Sequence, residues 1–99
     1  MQQISDILEE ISSLLNLCGY VDEVVWLQQQ AIQLRSTQIE AEMITLVTQV
    51  KAKIAGMGSL SDIYLLPPDD IKISKPEANQ RLSELISDLD KRINTILHT

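Results

Sequence analysis

Apolar residues recur every three or four positions along several stretches of the chain, which is the pattern of amphipathic helices. In residues 3 to 17 the acidic side chains Asp6, Glu9 and Glu10 lie opposite the apolar face. Gly19 follows as the expected C-terminal cap. The pattern therefore predicts a first helix that packs through one face, made of Ile4, Ile7, Leu8, Ile11, Leu14 and Leu15.

A second helix is predicted from Asp22, as its N-cap, to about Leu34. Its apolar side chains form a broad face, which suits a central helix that touches two neighbours. The main stripe is Tyr20, Val24, Leu27, Ala31 and Leu34, with Val21, Val25 and Ile32 beside it. Trp26 falls among polar residues on the other side. We favour slightly the interpretation that another segment covers Trp26, but Trp is also enriched at binding hot spots and could anchor an interface.

The sequence Thr37-x-x-Glu40 has the spacing of a capping box and predicts the start of a third helix. No Gly or Pro interrupts this region, so one bent helix over residues 22–55 is the alternative. The third helix is expected to end at Gly56. Its apolar positions are Ile39, Met43, Leu46, Val47, Val50 and Ile54.

The connection to the last helix begins with a glycine corner and continues into a Pro-rich loop. Residues 60–66 are expected to form a helical turn capped by Ser59 or Ser61, and residues 69–73 a loop or short strand. Ser74-x-x-Glu77 with Pro76 then predicts the start of a helix that reaches the C-terminus. Its apolar stripe is Ala78, Leu82, Leu85, Ile86, Leu89, Ile93, Ile96 and Leu97.

These elements predict an all-α fold, a small bundle of three to four amphipathic helices with one Gly corner and one Pro-rich loop. A chain of 99 residues is expected to form a single helical domain, spanning residues 1–99. The chain has no Phe and only one Trp, so the core is expected to consist of Ile, Leu and Val.

The candidates for chemistry do not form a recognisable catalytic, metal or cofactor site. His98 is the penultimate residue, and Cys18 has no basic neighbour in sequence that would activate its thiol. The aspartates of the connection lack the ligand spacing of a calcium loop, namely Asp62, Asp69 and Asp70. Gly56 and Gly58 follow a predicted helix instead of a strand, which argues against a dinucleotide site. We expect no enzyme and no cofactor.

Charge is distributed unevenly. The whole chain has 14 acidic and 8 basic residues, a net charge of −6. Residues 1–50 contain seven acids and only Arg35 as a base, whereas residues 51–99 contain seven of each, so all of the excess lies in the first half. A solvated face that keeps the protein in solution would explain this, but a one-signed surface also steers association with a basic protein and disfavours nucleic acid. No segment resembles a membrane span or a leader, so a cytoplasmic location is expected.

The segment Gly56-Met57-Gly58-Ser59-Leu60-Ser61-Asp62-Ile63-Tyr64-Leu65 resembles a Gly-Met-Gly-Ser-hydrophobic-Asn-Asp-hydrophobic element in a family of small bacterial proteins. Ser61 stands where that element has Asn, and Trp26-Leu27 matches the Trp-containing helix upstream of it. Such proteins resemble immunity proteins, which protect a bacterium from toxins of interbacterial competition, including contact-dependent inhibition.

The resemblance and the charge together suggest an immunity protein that binds and neutralises a basic cognate toxin domain, for example a nuclease. The expected contact surface lies on the first two helices and comprises Asp6, Glu9, Glu10, Asp22, Glu23 and Trp26. The alternative is a helical adaptor or self-associating regulatory protein without a toxin partner.

Overall fold

The computed structural model describes residues 2–55, 63–68 and 73–98. These residues form four α-helices and no strand: α1 (Gln2–Leu17), α2 (Val21–Ser36), α3 (Glu40–Ala55) and α4 (Lys75–Leu97). The molecule measures 44 by 22 by 22 Å along its principal axes. The predicted all-α bundle is thus confirmed.

The core lies between α1 and its two neighbours, α2 and α4, while α3 packs on α4 and less extensively on α2. Its buried apolar side chains are all aliphatic, as the composition predicts. All six apolar positions of the α1 stripe are buried. The α4 stripe is also as predicted, because five of its members are buried and Ile86, Ile96 and Leu97 pack against the core.

The turn between α1 and α2 depends on Gly19, whose φ is +86°. The Tyr20 N–H donates to the carbonyl of Leu15 at 3.1 Å, and the Gly19 N–H donates to the carbonyl of Asn16 at 3.3 Å. This pair of bonds is a Schellman motif, in which glycine is favoured because side chains rarely adopt a positive φ. The predicted cap at Gly19 is confirmed.

The predicted N-cap at Asp22 is wrong. Tyr20 occupies the N-cap position without a side-chain hydrogen bond, and α2 begins at Val21. Because the Gly19 turn leads the backbone directly into the next helix, Asp22 lies inside the first turn together with Glu23. Both carboxylates there interact favourably with the helix dipole instead of capping an N–H group.

The second and third helices are separate, so the single bent helix is wrong. Thr37 is extended, with φ −79° and ψ 140°, and α3 begins at Glu40. The predicted capping box is wrong, because Thr37 is the C-cap of α2 and its hydroxyl donates to Glu42 at 2.8 Å. The Met43 N–H donates to the carbonyl of Ile39, so Ile39 precedes the helix and is exposed.

Residues 63–68 of the α3–α4 connection have no regular secondary structure, so the predicted helical turn is wrong for residues 63–66. Leu65 is fully buried. Its N–H donates to Asn79 Oδ1 at 2.7 Å, and Asn79 Nδ2 donates back to the Leu65 carbonyl at 2.9 Å. The Tyr20 hydroxyl donates to the carbonyl of Tyr64 at 3.2 Å. This segment is therefore fixed to α4 and to the α1–α2 turn.

Other expectations for the connection lie outside the described residues. They are the helix stop at Gly56, the caps at Ser59 and Ser61, and the loop or strand over residues 69–72. The start of α4 is as predicted. Ser74 is the N-cap, its Oγ accepts a hydrogen bond from the Glu77 N–H at 3.3 Å, and Pro76 lies in the first turn.

Candidate protein-binding surfaces

The candidate catalytic and metal-binding residues do not form a site. No group of three His, Cys, Asp or Glu residues in the described ranges is placed to hold a metal ion, and Asp62, Asp69 and Asp70 lie outside those ranges. Cys18 is half-buried, and burial raises the pKa of its thiol, which disfavours the reactive thiolate. His98 is exposed just after the end of α4. The remaining candidates for a functional site are therefore on the protein surface.

Two of the predicted contact residues on α1 are ion-paired with α2. Arg35, in the last turn of α2, donates from Nη2 to Asp6 at 2.9 Å and to Glu9 at 2.8 Å, and from Nη1 to the other Glu9 oxygen. The hydrogen bond from Arg35 lowers the pKa of Glu9, and the two carboxylates raise the pKa of Arg35. Arg35, the only base of the first half, thus offsets part of the α1 charge.

The third acid of α1, Glu10, pairs with α4. Arg81 Nη2 lies 2.6 Å from Glu10 Oε2, and Arg81 Nη1 lies 3.7 Å from Glu84 on the next turn of α4. Arg92 of α4 likewise donates to Gln3, near the start of α1. The acids of α1 therefore join the helices of the bundle, a role that helical periodicity did not predict for them.

The acids at the start of α2 are different. Neither Asp22 nor Glu23 forms an ion pair with any residue in the described part of the chain. Glu40 and Glu42 occupy the equivalent first turn of α3, also without an ion pair there. Since α2 has 16 residues, its two ends are about 24 Å apart. The unpaired acids of the first three helices thus form two groups at opposite ends of α2.

Trp26 is half-buried and packs against the core. Lys53 of α3 lies with its Nζ 5.7 Å from the centroid of the indole ring, within cation–π distance. This arrangement supports the interpretation that another segment covers Trp26.

Three apolar side chains of α2 remain exposed: Val21 (62%), Val25 (48%) and Ile32 (60%). At about 100° per residue, their positions on the helix fall within roughly 40° of one another. We call this set the α2 stripe. The apolar face of α2 is as broad as expected, and α2 contacts both α1 and α3. Neither of these helices covers the α2 stripe.

A groove of about 550 Å³ lies between the C-terminal half of α2 and the N-terminal half of α3. We call it the α2–α3 groove; its lining residues are Gln33, Ser36, Thr37, Ala41, Glu42, Thr45 and Leu46. Apolar periodicity did not predict this groove, because a groove depends on the angle between two helices. The apolar pattern offered no signal for it, since the exposed apolar residue Ile44 of α3 does not line the groove.

No helix in the described ranges is long and apolar enough to cross a membrane. Comparison with known proteins gave no match among protein-family models, curated proteins or solved structures.

Proposed function

We propose that this chain is an immunity protein, which binds and neutralises a basic cognate toxin domain such as a nuclease. The observation that carries the proposal is the pairing of exposed apolar surface with unpaired acids on α2. The α2 stripe begins at Val21, next to Asp22 and Glu23, which have no cationic partner in the described chain. Such a surface suits a protein partner with apolar and basic side chains.

Electrostatic steering supports this choice of partner. A carboxylate that already contacts an arginine is largely neutralised at short range, so an approaching basic protein gains less from it. Asp22 and Glu23 have no ion pair in the described chain, whereas the charges of Glu9 and Glu10 are offset by Arg35 and Arg81. Within the proposed contact surface, Asp22 and Glu23 therefore contribute most to association, and Asp6, Glu9 and Glu10 mainly hold the helices together.

The proposal is tested with the basic domain encoded next to this gene in its host, by growth rescue and by stopped-flow association kinetics. We expect co-expression of the chain to restore growth. Asp22→Lys with Glu23→Lys should slow association about tenfold or more at low salt, because a steering charge is reversed. The slowing should shrink at about 0.15 M salt, where screening is stronger.

The matched control makes the same change in charge at two acids that are already ion-paired with arginines: Glu9→Lys with Glu10→Lys. This variant should lose thermal stability, since it places lysines against Arg35 and Arg81, but should slow association less. Equal slowing by both variants would show that only total charge matters. Absence of both binding and growth rescue by the wild-type chain would refute the immunity function itself.

A second candidate function is that of a self-associating adaptor, which the α2 stripe favours because a second copy of α2 could cover it in antiparallel fashion. Residues 25 and 32 would then face each other across the two-fold axis, so that Val25 meets Ile32 of the other copy. Sedimentation equilibrium separates the two candidates. A concentration-dependent dimer that Ile32→Glu abolishes would favour the adaptor, and a monomer would exclude this dimer.

A further inference from the structure

The α2–α3 groove has a shape and chemistry that the proposed contact surface does not use. Ser36 and Gln33 line it from α2, and Ala41, Thr45 and Leu46 line it from α3. Its wall is mainly apolar, and Leu46 is only half-buried, so an inserted apolar side chain would remove further surface from water. The groove is therefore suited to side chains of a partner, not to a polar small molecule.

The charge around the groove has one sign. Glu42 lines the groove, and from Ser36 to Val50 the chain contains no Lys or Arg. The bases that flank this region are engaged elsewhere: Arg35 with Asp6 and Glu9, Lys51 with Asp90 and Asn94, and Lys53 with Trp26. Glu42 is oriented by the Thr37 hydroxyl and has no cation beside it in the described structure. The carboxylate of Glu42 at the groove therefore has no basic side chain to pair with in the described structure.

The described part of the α3–α4 connection lies away from this groove. Residues 63–68 are bonded to Tyr20, before the start of α2, and to Asn79 of α4. The groove lies at the other end of α2, from Gln33 onward, which is about 20 Å along the helix. Those residues therefore leave the groove open to a partner.

We infer that the α2–α3 groove binds a cationic amphipathic helix of the partner protein, with apolar side chains inserted between α2 and α3 and a Lys or Arg side chain against Glu42. An amphipathic helix in a groove between helices is a common mode of peptide recognition. This inference rests on the proposed function, because it names the part of the basic partner that the chain recognises.

The test uses the full chain and a synthetic Leu/Lys amphipathic helix of about four turns as the probe. Titration is followed by NMR chemical shifts of the labelled chain. We expect saturable binding with a Kd below about 1 mM, and the largest shifts at Ser36, Ala41, Thr45 and Leu46. A Leu/Glu helix of the same pattern should not bind. Absence of saturable binding of the Leu/Lys helix, or shifts centred on the α2 stripe, would overturn the inference.

Two variants test the charge and the shape of the groove separately. Glu42→Lys should weaken binding about fivefold or more, and Asp22→Lys, which changes the net charge equally at the other end of α2, should weaken it much less. Ala41→Trp should also weaken binding by filling the groove without a change in charge. Equal effects of the two charge variants, or tight binding by the Ala41→Trp variant, would contradict the docking site. Thermal melts confirm that each variant folds.

The two proposals can fail independently. If the groove binds the Leu/Lys helix but the chain neither binds the neighbouring basic domain nor restores growth, the immunity function fails and the groove remains a docking site. If growth rescue persists unchanged with the charge of Glu42 reversed, the immunity function stands and the groove is not its contact surface.

Discussion

The helices α1 and α2 form one antiparallel hairpin, yet they use their surfaces differently. On α1 all six apolar positions of the stripe are buried, and all three acids contact an arginine of another helix. On α2 three large apolar side chains are exposed, and the two acids of the first turn have no ion pair in the described chain. Apart from the exposed Leu17 at its C-terminal end, folding accounts for the α1 sequence, whereas α2 carries more apolar and charged surface than this fold uses.

The largest effect that tests this difference comes from shortening one apolar side chain on each helix. Leu8→Ala should destabilise the protein by about 2 to 5 kcal/mol, because Leu8 is fully buried and its truncation leaves a cavity. Ile32→Ala should cost less than about 1 kcal/mol, because most of Ile32 already contacts water. Urea unfolding followed by circular dichroism measures both free energies.

The pair of variants also has an outcome that would break the comparison. If Ile32→Ala cost as much as Leu8→Ala, the α2 stripe would be covered in solution and would not be free for a partner. Repeating the unfolding at several protein concentrations identifies a second copy as that cover, since only then does the unfolding midpoint rise with concentration.

Local sequence signals predicted most of the fold. The apolar stripes of α1 and α4, the glycine turn at Gly19 and the Ser74 cap each depend on residues within a few positions of one another. The misassigned cap at Asp22 shows the limit of such signals, because Asp is favourable both at an N-cap and in a first turn. The geometry of the preceding glycine turn decided between the two positions.

The candidate surface was less predictable because its organisation depends on contacts between distant residues. Arg35 bonds to Glu9 across 26 positions, and Arg81 bonds to Glu10 across 71 positions. Helical periodicity correctly predicted that the α1 acids lie opposite the apolar stripe, but it contains no information about a base on another helix. A single arginine in an otherwise base-free first half was the only available hint that part of this charge is neutralised.

A smaller effect is expected from the buried polar residue of α2. Gln30 is only 7% exposed, and its Oε1 accepts no hydrogen bond from the described residues. The buried Ser12 of α1, in contrast, donates to the carbonyl of Val24 at 3.4 Å. Gln30→Met should therefore stabilise the protein by about 1 kcal/mol, because it removes an unsatisfied acceptor at similar volume.

The matched control for Gln30→Met is Gln29→Met, at the exposed neighbouring position. Urea unfolding should show a higher midpoint for Gln30→Met at an unchanged slope and no gain for Gln29→Met. A loss of stability at position 30 would mean that the amide oxygen has a donor in solution. Gln30 would then stabilise the packing of the buried face of α2.

The smallest effect concerns the ion pairs of α1 and appears as a dependence on pH. The hydrogen bond from Arg35 lowers the pKa of Glu9 below its ordinary value of 4.5, so the folded chain binds this proton less readily than the unfolded chain. The pair therefore stabilises the protein above pH 4.5, and that contribution is lost as the pH falls through the lower pKa of the folded state. Arg35→Gln should make stability decline less steeply in this acidic range, as measured by urea unfolding at each pH.

Glu9→Gln provides the control. In a chain that carries Glu9→Gln, a further Arg35→Gln should not change the pH dependence of stability that Glu9 causes. An identical acidic decline in the wild type and in the Arg35→Gln variant would mean that Glu9 keeps its charge without help from Arg35. Glu9 would then be as available to a basic partner as Asp22, and a single acidic surface across α1 and α2 would again be the better description. A shallower decline would instead support the division in which α1 uses its acids to hold the bundle and α2 leaves its own acids for binding.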